Sequence, residues 1–413
     1  MESKRFDVVK FISRGSYCIV YEVAYPQDGD ENTRTTWALK RFYLKRSSAA
    51  RCALREHDIL VRLALADKQS SFIVTLLQSL RIHGDPALVL QKGSGYDLGD
   101  LISNFDYLDE KDARFYSCEI ICGLEHLHSM GIVHLDIKPT NMLIADSGHL
   151  LISDFDRSYD MTKATEPPRR TDFAGTPLFK APEIRNQIEI TTKADIWSLG
   201  VLVATIMYGY AKVEDWLHTF QFTTGCLPNA SAPLRQFFQA CLTENPKRRL
   251  DIGGVKCLDF YRDVSWEDVV SCTMEPPYHP SEFDFSAAVE NFDLDPYDPL
   301  LLNAAQSTHM PMIYGGLRDT CDKNGVRQLL VHIPNHVELA EAGLTPKRID
   351  EIFAGFNFMN PHHLESFHGF EAKPNVNGDG NVLSYSKQAE MEGFLSPPSG
   401  TQQLKPYIFS SPT

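Results

Sequence analysis

The chain has 413 residues, with 40 Lys and Arg against 54 Asp and Glu and a formal net charge of −14. So acidic a chain excludes sequence-independent attraction to nucleic acid or anionic membrane, which basic patches supply. Its length asks for a two-lobed or two-part molecule, and its nine scattered cysteines, with no Cys-x-x-Cys pair, point to free thiols in a reducing compartment.

Met1 to Arg5 is polar and charged, and no apolar signal core follows it. The segments "FDVVKFISRG", "IVYEVAY" and "TWALKRFYL" carry β-branched and aromatic residues in short runs, which predicts strands, with Gly15 and "PQDGDENTR" as turn material. Apolar residues at helical spacing predict a helix from about Ser48 to Ala66. Two more strands are expected in "FIVTLLQSLRI" and "ALVLQ". From Asp97 onward helices dominate, notably "EKDARFYSCEIICGLEHLHSM" and a buried helix starting near Asp195. The longest apolar run, Ile196 to Tyr210, is 15 residues and falls short of the roughly 20 that a membrane span needs. No membrane span is expected, and the cytoplasm is the expected location. From Thr273 to Pro299 the text is rich in Pro, Asp and Phe, and the expectation is an irregular segment laid across the domain surface. Beyond about Asn375, Asn, Gly, Ser, Gln and Pro predict disorder. A strand-rich small lobe followed by a helical large lobe places a cleft at their boundary.

The chemistry sits at that boundary. "IVHLDIKPTNMLI" supplies Asp136, Lys138 and Asn141, and "LLISDFDRS" supplies Asp154. Phosphoryl transfer demands positioning and charge neutralisation more than covalent chemistry. A carboxylate (Asp136) accepts the hydroxyl proton, an ammonium (Lys138) steadies the moving phosphoryl group, and Asn141 with Asp154 offers oxygens to Mg2+. Upstream, Lys40 ends a strand and can reach ATP phosphates, and Glu56 on the next helix can hold Lys40. An isolated Lys or Asp is ordinarily a solvated charge; the ordered set makes the difference.

These residues resemble the eukaryotic protein kinases from about Phe6 to Phe260. "GTPLFKAPE" (Gly175 to Glu183) looks like the family's substrate-binding segment, "DIWSLGV" like the start of its central helix, and Arg249 like the partner of Glu183. The resemblance implies an α+β, bilobal protein-kinase fold: a small antiparallel β lobe with one main helix and a large helical lobe. It implies ATP-dependent phosphorylation of Ser or Thr on protein substrates, with ATP and Mg2+ as cofactors. It further implies nucleotide contacts from Ile12, Ser13, Arg14, Gly15, Ser16, Tyr17, Cys18, Ile19, Val20, Ala38, Lys40 and Leu143. His134 and Phe155 are expected in an apolar stack with Leu60 and a residue near Leu76. "ENFDLD", placing Phe292 where relatives return an aromatic to the adenine site, and "FAGFNFMNP" resemble the tail of AGC-type kinases, such as protein kinase C and its ribosomal-kinase relatives. Phe353, Phe356 and Phe358, costly to leave exposed, are therefore expected to dock on the small lobe beside the Glu56 helix. The divisions expected are a catalytic domain at 6–260, a C-terminal extension at 261–361 and a disordered tail at 362–413.

Departures from the family pattern qualify the activity. The glycine-rich loop keeps only Gly15, with Ser13 and Cys18 at the flanking glycine positions. Asp156 stands where the metal-binding triplet has Gly, adding charge and removing a permissive backbone position. Leu135 replaces an Arg that in many relatives pairs with a loop phosphothreonine, and Asp172 occupies that threonine's position. Asn357 likewise stands where relatives carry a phosphorylatable residue. Constitutive assembly is the expectation. Asp97 matches an arginine-recognising carboxylate of the family and Thr140 replaces a second; a basic substrate preference is what the resemblance implies. Ser396 and Ser411, each before Pro, are candidate phosphorylation sites. A nucleotide-binding pseudokinase or scaffold acting through protein interaction is the alternative reading.

Overall fold

Period-two alternation sorts the first strands onto two faces. The computed structural model describes residues 7–15, 17–24, 35–44, 47–82, 84–105, 107–163, 167–218, 227, 230–282, 292–294, 327–329 and 345–363. Strands β1 (Asp7–Arg14), β2 (Cys18–Ala24), β3 (Thr36–Phe42), β4 (Leu76–Ile82) and β5 (Asp85–Leu90) form an antiparallel sheet. A short strand, β13 (Phe358–Met359), closes it on β4, giving the order β1-β2-β3-β5-β4-β13. One face carries Ala38, Phe42, Leu88 and Leu90 into the main core, and the other carries Phe11, Ile19, Tyr21, Leu39 and Val89 into a smaller one. Lys40 alternates in step with Ala38 and Phe42, so it faces the large lobe.

Helix α1 (Ser47–Ala64) lies against that inner face and buries Ala50, Ala53, Leu60 and Leu63, spaced three or seven residues apart and so on one face. In the large lobe, α2 (Leu98–Phe105) and α3 (Glu110–Ser129) precede the chemistry-bearing loops, and Asp109 caps α3 by accepting from the Asp112 amide. Beyond those loops come α4 (Pro182–Arg185) and α5 (Lys193–Tyr208). Helix α5 is buried without interruption from Ala194 to Ile206, so it is apolar all round rather than striped. Short pairs, β6 (Tyr96–Asp97) with β8 (Met142–Ile144) and β9 (Leu150–Ile152), and β7 (Ile132–Val133) with β10 (Tyr159–Asp160), frame the cleft floor. Among the described residues no helix is long and apolar enough to cross a membrane, and the seven described cysteines are free.

After the last helix of the large lobe, Pro276 and Tyr278 lie over Gly148. Gly148 has φ +86°, and a Cβ there would meet the Tyr278 carbonyl at 2.6 Å. Two expectations need correction. Phe292–Leu294 (β11) is a strand, paired in parallel with Arg327–Leu329 (β12). The prolines stop at Pro280 and resume at Pro296, which leaves a window able to donate to a ladder. The triple-Phe segment is also not extended throughout. Helix α6 (Pro346–Ile352), capped by the Thr345 hydroxyl and started by a proline, leads directly into Phe353. Ser16, the side chains of Arg14 and Phe292, and the tail expectations beyond residue 363, including Ser396 and Ser411, lie outside the described residues.

Candidate active site

Strand β3 and helix α1 deliver the first half of the site. The Lys40 ammonium lies 2.8 and 2.7 Å from the two Glu56 carboxylate oxygens and 2.7 Å from Asp154 Oδ1. Burial works against its charge, but Asp154 and Glu56 together hold it well above the usual lysine range.

The second half is a loop gripped from beneath. Asp195, in the first turn of α5, accepts from the amides of His134 and Leu135, each at 2.8 Å. This holds Leu135 at φ 65°, a left-handed conformation that costs a non-glycine residue about 1–2 kcal/mol. Asp136 follows. Its Oδ1 accepts from the Thr176 amide and hydroxyl, each at 2.7 Å, and its Oδ2 from Lys138 at 2.7 Å. Burial pushes the Asp136 carboxyl up, yet Lys138 and Thr176 outweigh it and keep it below the usual range. Thr176 can approach because Gly175, at φ +115°, passes so close to the Leu135 carbonyl that a Cβ would clash. The buried Asn141 donates its side-chain nitrogen to the Asp136 carbonyl at 2.8 Å, which leaves the amide oxygen as the atom able to meet a cation; Asn141 does not line the cavity itself.

Asp154 sits at φ 66°, with Phe155 fully buried behind it and the Phe155 ring 5.0 Å from that of His134. Leu60 and Leu76 share the same core. Asp156 is not among the described non-glycine residues with positive φ. The expected backbone penalty for replacing Gly is therefore absent, because this triplet has its left-handed residue at Asp154. Asp156 instead lies 3.3 Å from the Arg157 side chain, and burial together with Asp154 pushes its carboxyl up to about 6.

A cavity of about 440 Å³ unites Gly15, Tyr17, Cys18, Lys40, Asp136, Lys138, Asp154 and Asp156. Ile12, Ser13, Val20, Ala38 and Leu143 do not line it, although Ile12, Val20 and Ala38 belong to the core on the same face. Ile19 points into the smaller core on the opposite face and can offer a nucleotide only its main chain. Over the cavity, the Gly15 amide donates to the Cys18 carbonyl at 2.9 Å, and Cys18 Sγ fills the space that a Cβ at Gly15 would need. Below it, Glu183 and Arg249 form a fully buried two-bond pair at 2.6 and 2.9 Å.

Several partners escape a reading of the sequence. Asp172 has two cationic partners, the Arg55 guanidinium at 2.8 Å and the Arg169 guanidinium at 3.4 Å, and also accepts the Arg169 main-chain amide at 2.9 Å. Asp97 and Asp100 cap each other's amides at 2.9 and 3.0 Å at the start of α2. Burial pushes Asp97 up to about 6 and, with Asp97 beside it, Asp100 to about 8. Phe353 and Phe356 are buried, and the Phe356 ring stacks on His57 of α1 at 4.3 Å.

Residues 6–260 match the protein kinase domain family, more than half of the chain. The chain belongs to the protein kinase family. Ribosomal protein S6 kinase alpha-1 of Mus musculus is 29% identical over 288 residues, covering 68% of this chain and 38% of the relative. Serine/threonine-protein kinase SCH9 of Saccharomyces cerevisiae is 29% identical over 327 residues, covering 75% and 38%. The probable serine/threonine protein kinase IRE of Arabidopsis thaliana is 27% identical over 405 residues, covering 87% and 33%. These relatives make this kinase domain a divergent AGC-type one. The chain spans less than two fifths of the length of these relatives.

Proposed function

We propose that the protein transfers the terminal phosphate of ATP to Ser or Thr hydroxyls of protein substrates. The observation that carries this reading is the convergence of the Glu56–Lys40–Asp154 chain and the Asp136–Lys138–Thr176 cluster on one cavity.

The donor set suits Mg2+ better than a self-contained metal cage. Among the described residues no group of three or more His, Cys, Asp or Glu could hold a metal. Asp154 and Asn141 would hold the ion through one carboxylate and one amide oxygen, the hard oxygen donors that Mg2+ takes. Bound Mg-ATP supplies the phosphoryl group and neutralises its charge. Lys40, fixed by Glu56, grips the nucleotide's phosphates. Asp136 takes the proton from the acceptor hydroxyl, and Lys138, 2.7 Å from it, stabilises the charge that develops on the moving phosphoryl.

In this reading residues 6–260 are the catalytic unit, 261–361 an extension and 362–413 a tail, and the protein works in the cytoplasm. The extension returns Phe353, Phe356 and Phe358 to the small lobe, where Phe356 against His57 steadies the helix that carries Glu56.

The test is purified protein with labelled ATP, Mg2+ and mixed Ser and Thr peptides, against Asp136→Ala. Transfer should fall at least about 100-fold in the variant. Equal, negligible transfer by both, with Mg-ATP still raising both melting temperatures, would replace this reading by that of a nucleotide-binding scaffold.

A further inference from the structure

The cavity holds four cations, and three have carboxylate partners. Lys40 faces Glu56 and Asp154, Lys138 faces Asp136, and Arg157 lies 3.3 Å from Asp156. Lys180 differs. It donates to a neutral group, the Phe173 carbonyl, at 3.2 Å, and among the described residues no carboxylate stands within ion-pair distance of it.

Its position matters more than its charge. Lys180 lines the cavity together with Thr176 and Pro177, and Thr176 touches Asp136. Its aliphatic stem lies along Gly175, 3.5 Å from where a Cβ would be. The ammonium is thus half-buried on the wall next to the carboxylate that would receive an acceptor hydroxyl. Arg157 lines the same cavity, with 37% of its side chain exposed. Burial and this like charge hold Lys180 below the usual lysine range, against the opposing pull of Asp136. The carboxylate that resemblance assigns to a basic substrate residue, Asp97, already caps α2.

We infer that Lys180, with Arg157 beside it, forms an anion subsite that selects an acidic side chain directly flanking the acceptor Ser or Thr. This rests on the reading of Asp136 as the acceptor's base. A carboxylate entering there leaves water for a partly dry wall. A charge pair so placed discriminates more strongly than one at an exposed rim. The preference runs opposite to the basic one implied by resemblance.

The experiment compares serine peptides carrying Glu, Gln or Lys on either side of the acceptor. On one side, kcat/KM should be about tenfold higher with Glu than with Gln. That ratio should fall to about one in Lys180→Met, return in Lys180→Arg, and favour Lys in Lys180→Glu. Equal use of Glu and Gln peptides, or a ratio that survives Lys180→Met, would overturn the subsite. If the wild type phosphorylates no peptide at all, the phosphotransferase reading fails separately. Fluorescence anisotropy with the acceptor replaced by Ala then decides the subsite. Tighter binding of the Glu peptide, lost in Lys180→Met, upholds it; equal binding of Glu and Gln peptides rejects it.

Discussion

The Arg55 guanidinium lies 2.8 Å from the Asp172 carboxylate, an ion pair that joins helix α1 to a loop 117 residues away. Arg55 immediately precedes Glu56, so the same turn of helix that orients Lys40 is tied to the segment before Thr176. The Asp172 side chain is only 6% exposed, and it also closes its own turn through the Arg169 amide at 2.9 Å. A carboxylate built into the chain makes this link, and no phosphate is needed for it.

Asp172→Ala should therefore cost about 1–3 kcal/mol of stability, the worth of charged hydrogen bonds of this kind. It should also lower phosphate transfer, because α1 loses a tether. Phosphatase treatment of the wild type and Thr171→Ala should leave transfer where it was. A wild type silenced by phosphatase would show that the loop needs a phosphate after all.

The parts of this molecule that announce themselves in sequence are those whose signal is local or ordered. Helix α1 is legible from apolar spacing, although it starts at Ser47 and ends at Ala64 rather than at Ser48 and Ala66. Lys40, Glu56, Asp136, Lys138, Asn141 and Asp154 are legible because their order and residue types leave few alternatives. Arg55 pairing with Asp172 is not, since nothing local to either residue marks a partner 117 positions away. Asp156 misleads for a different reason: whether a glycine position needs φ > 0 is a property of the backbone, and here the left-handed residue is Asp154. Helix α6 leaves a trace, since Thr345 followed by Pro346 is a cap and first-turn pair, but seven residues next to a cluster of phenylalanines carry too short a periodic signal to set a helix apart from extended chain.

The docking of the last described segment combines an ion pair on the surface, Arg81 with Asp350 at 2.7 Å, with buried uncharged contacts. Asn360 donates its side-chain amide to the Leu76 carbonyl at 2.8 Å and its main-chain amide to Leu77 at 2.9 Å, while the Ser79 hydroxyl donates to the Phe356 carbonyl. Asn357 is exposed between them. Asn360→Ala should cost about 1–3 kcal/mol by stranding the Leu76 carbonyl. Asn357→Glu, which mimics a phosphorylated residue, should stay within about 0.5 kcal/mol of wild type. Amide exchange in β4 reads both. Stronger protection in Asn357→Glu would point instead to a charge-operated clasp.

Glu183 and Arg249 are 1% exposed each, and the guanidinium also lies 5.2 Å from the centre of the Trp197 ring. Neither charge has water to fall back on. Glu183→Ala should lose about 3–5 kcal/mol in urea denaturation, because Arg249 is then buried alone. The double replacement by Met and Leu should recover most of that loss. A double variant as unstable as the single one would mean that the surrounding carbonyls, not the pair, carry the cost.

His149 offers a pH test away from the cavity. Its ring nitrogen meets the Glu119 carboxylate of α3, which also accepts the Leu150 amide at 2.8 Å. The hydrogen bond to Glu119 holds the imidazole above the usual histidine range, against the opposing effect of burial. A proton bound more tightly by the folded state stabilises it below the unfolded histidine value of about 6.5 and ceases to do so as pH rises through the folded value. The stability difference between wild type and His149→Gln should therefore be larger near about pH 6 than near about pH 8.5. Urea melts at the two pH values measure it. A difference that is unchanged, or that grows with pH, would show that the imidazole acts there as a neutral hydrogen-bonding group.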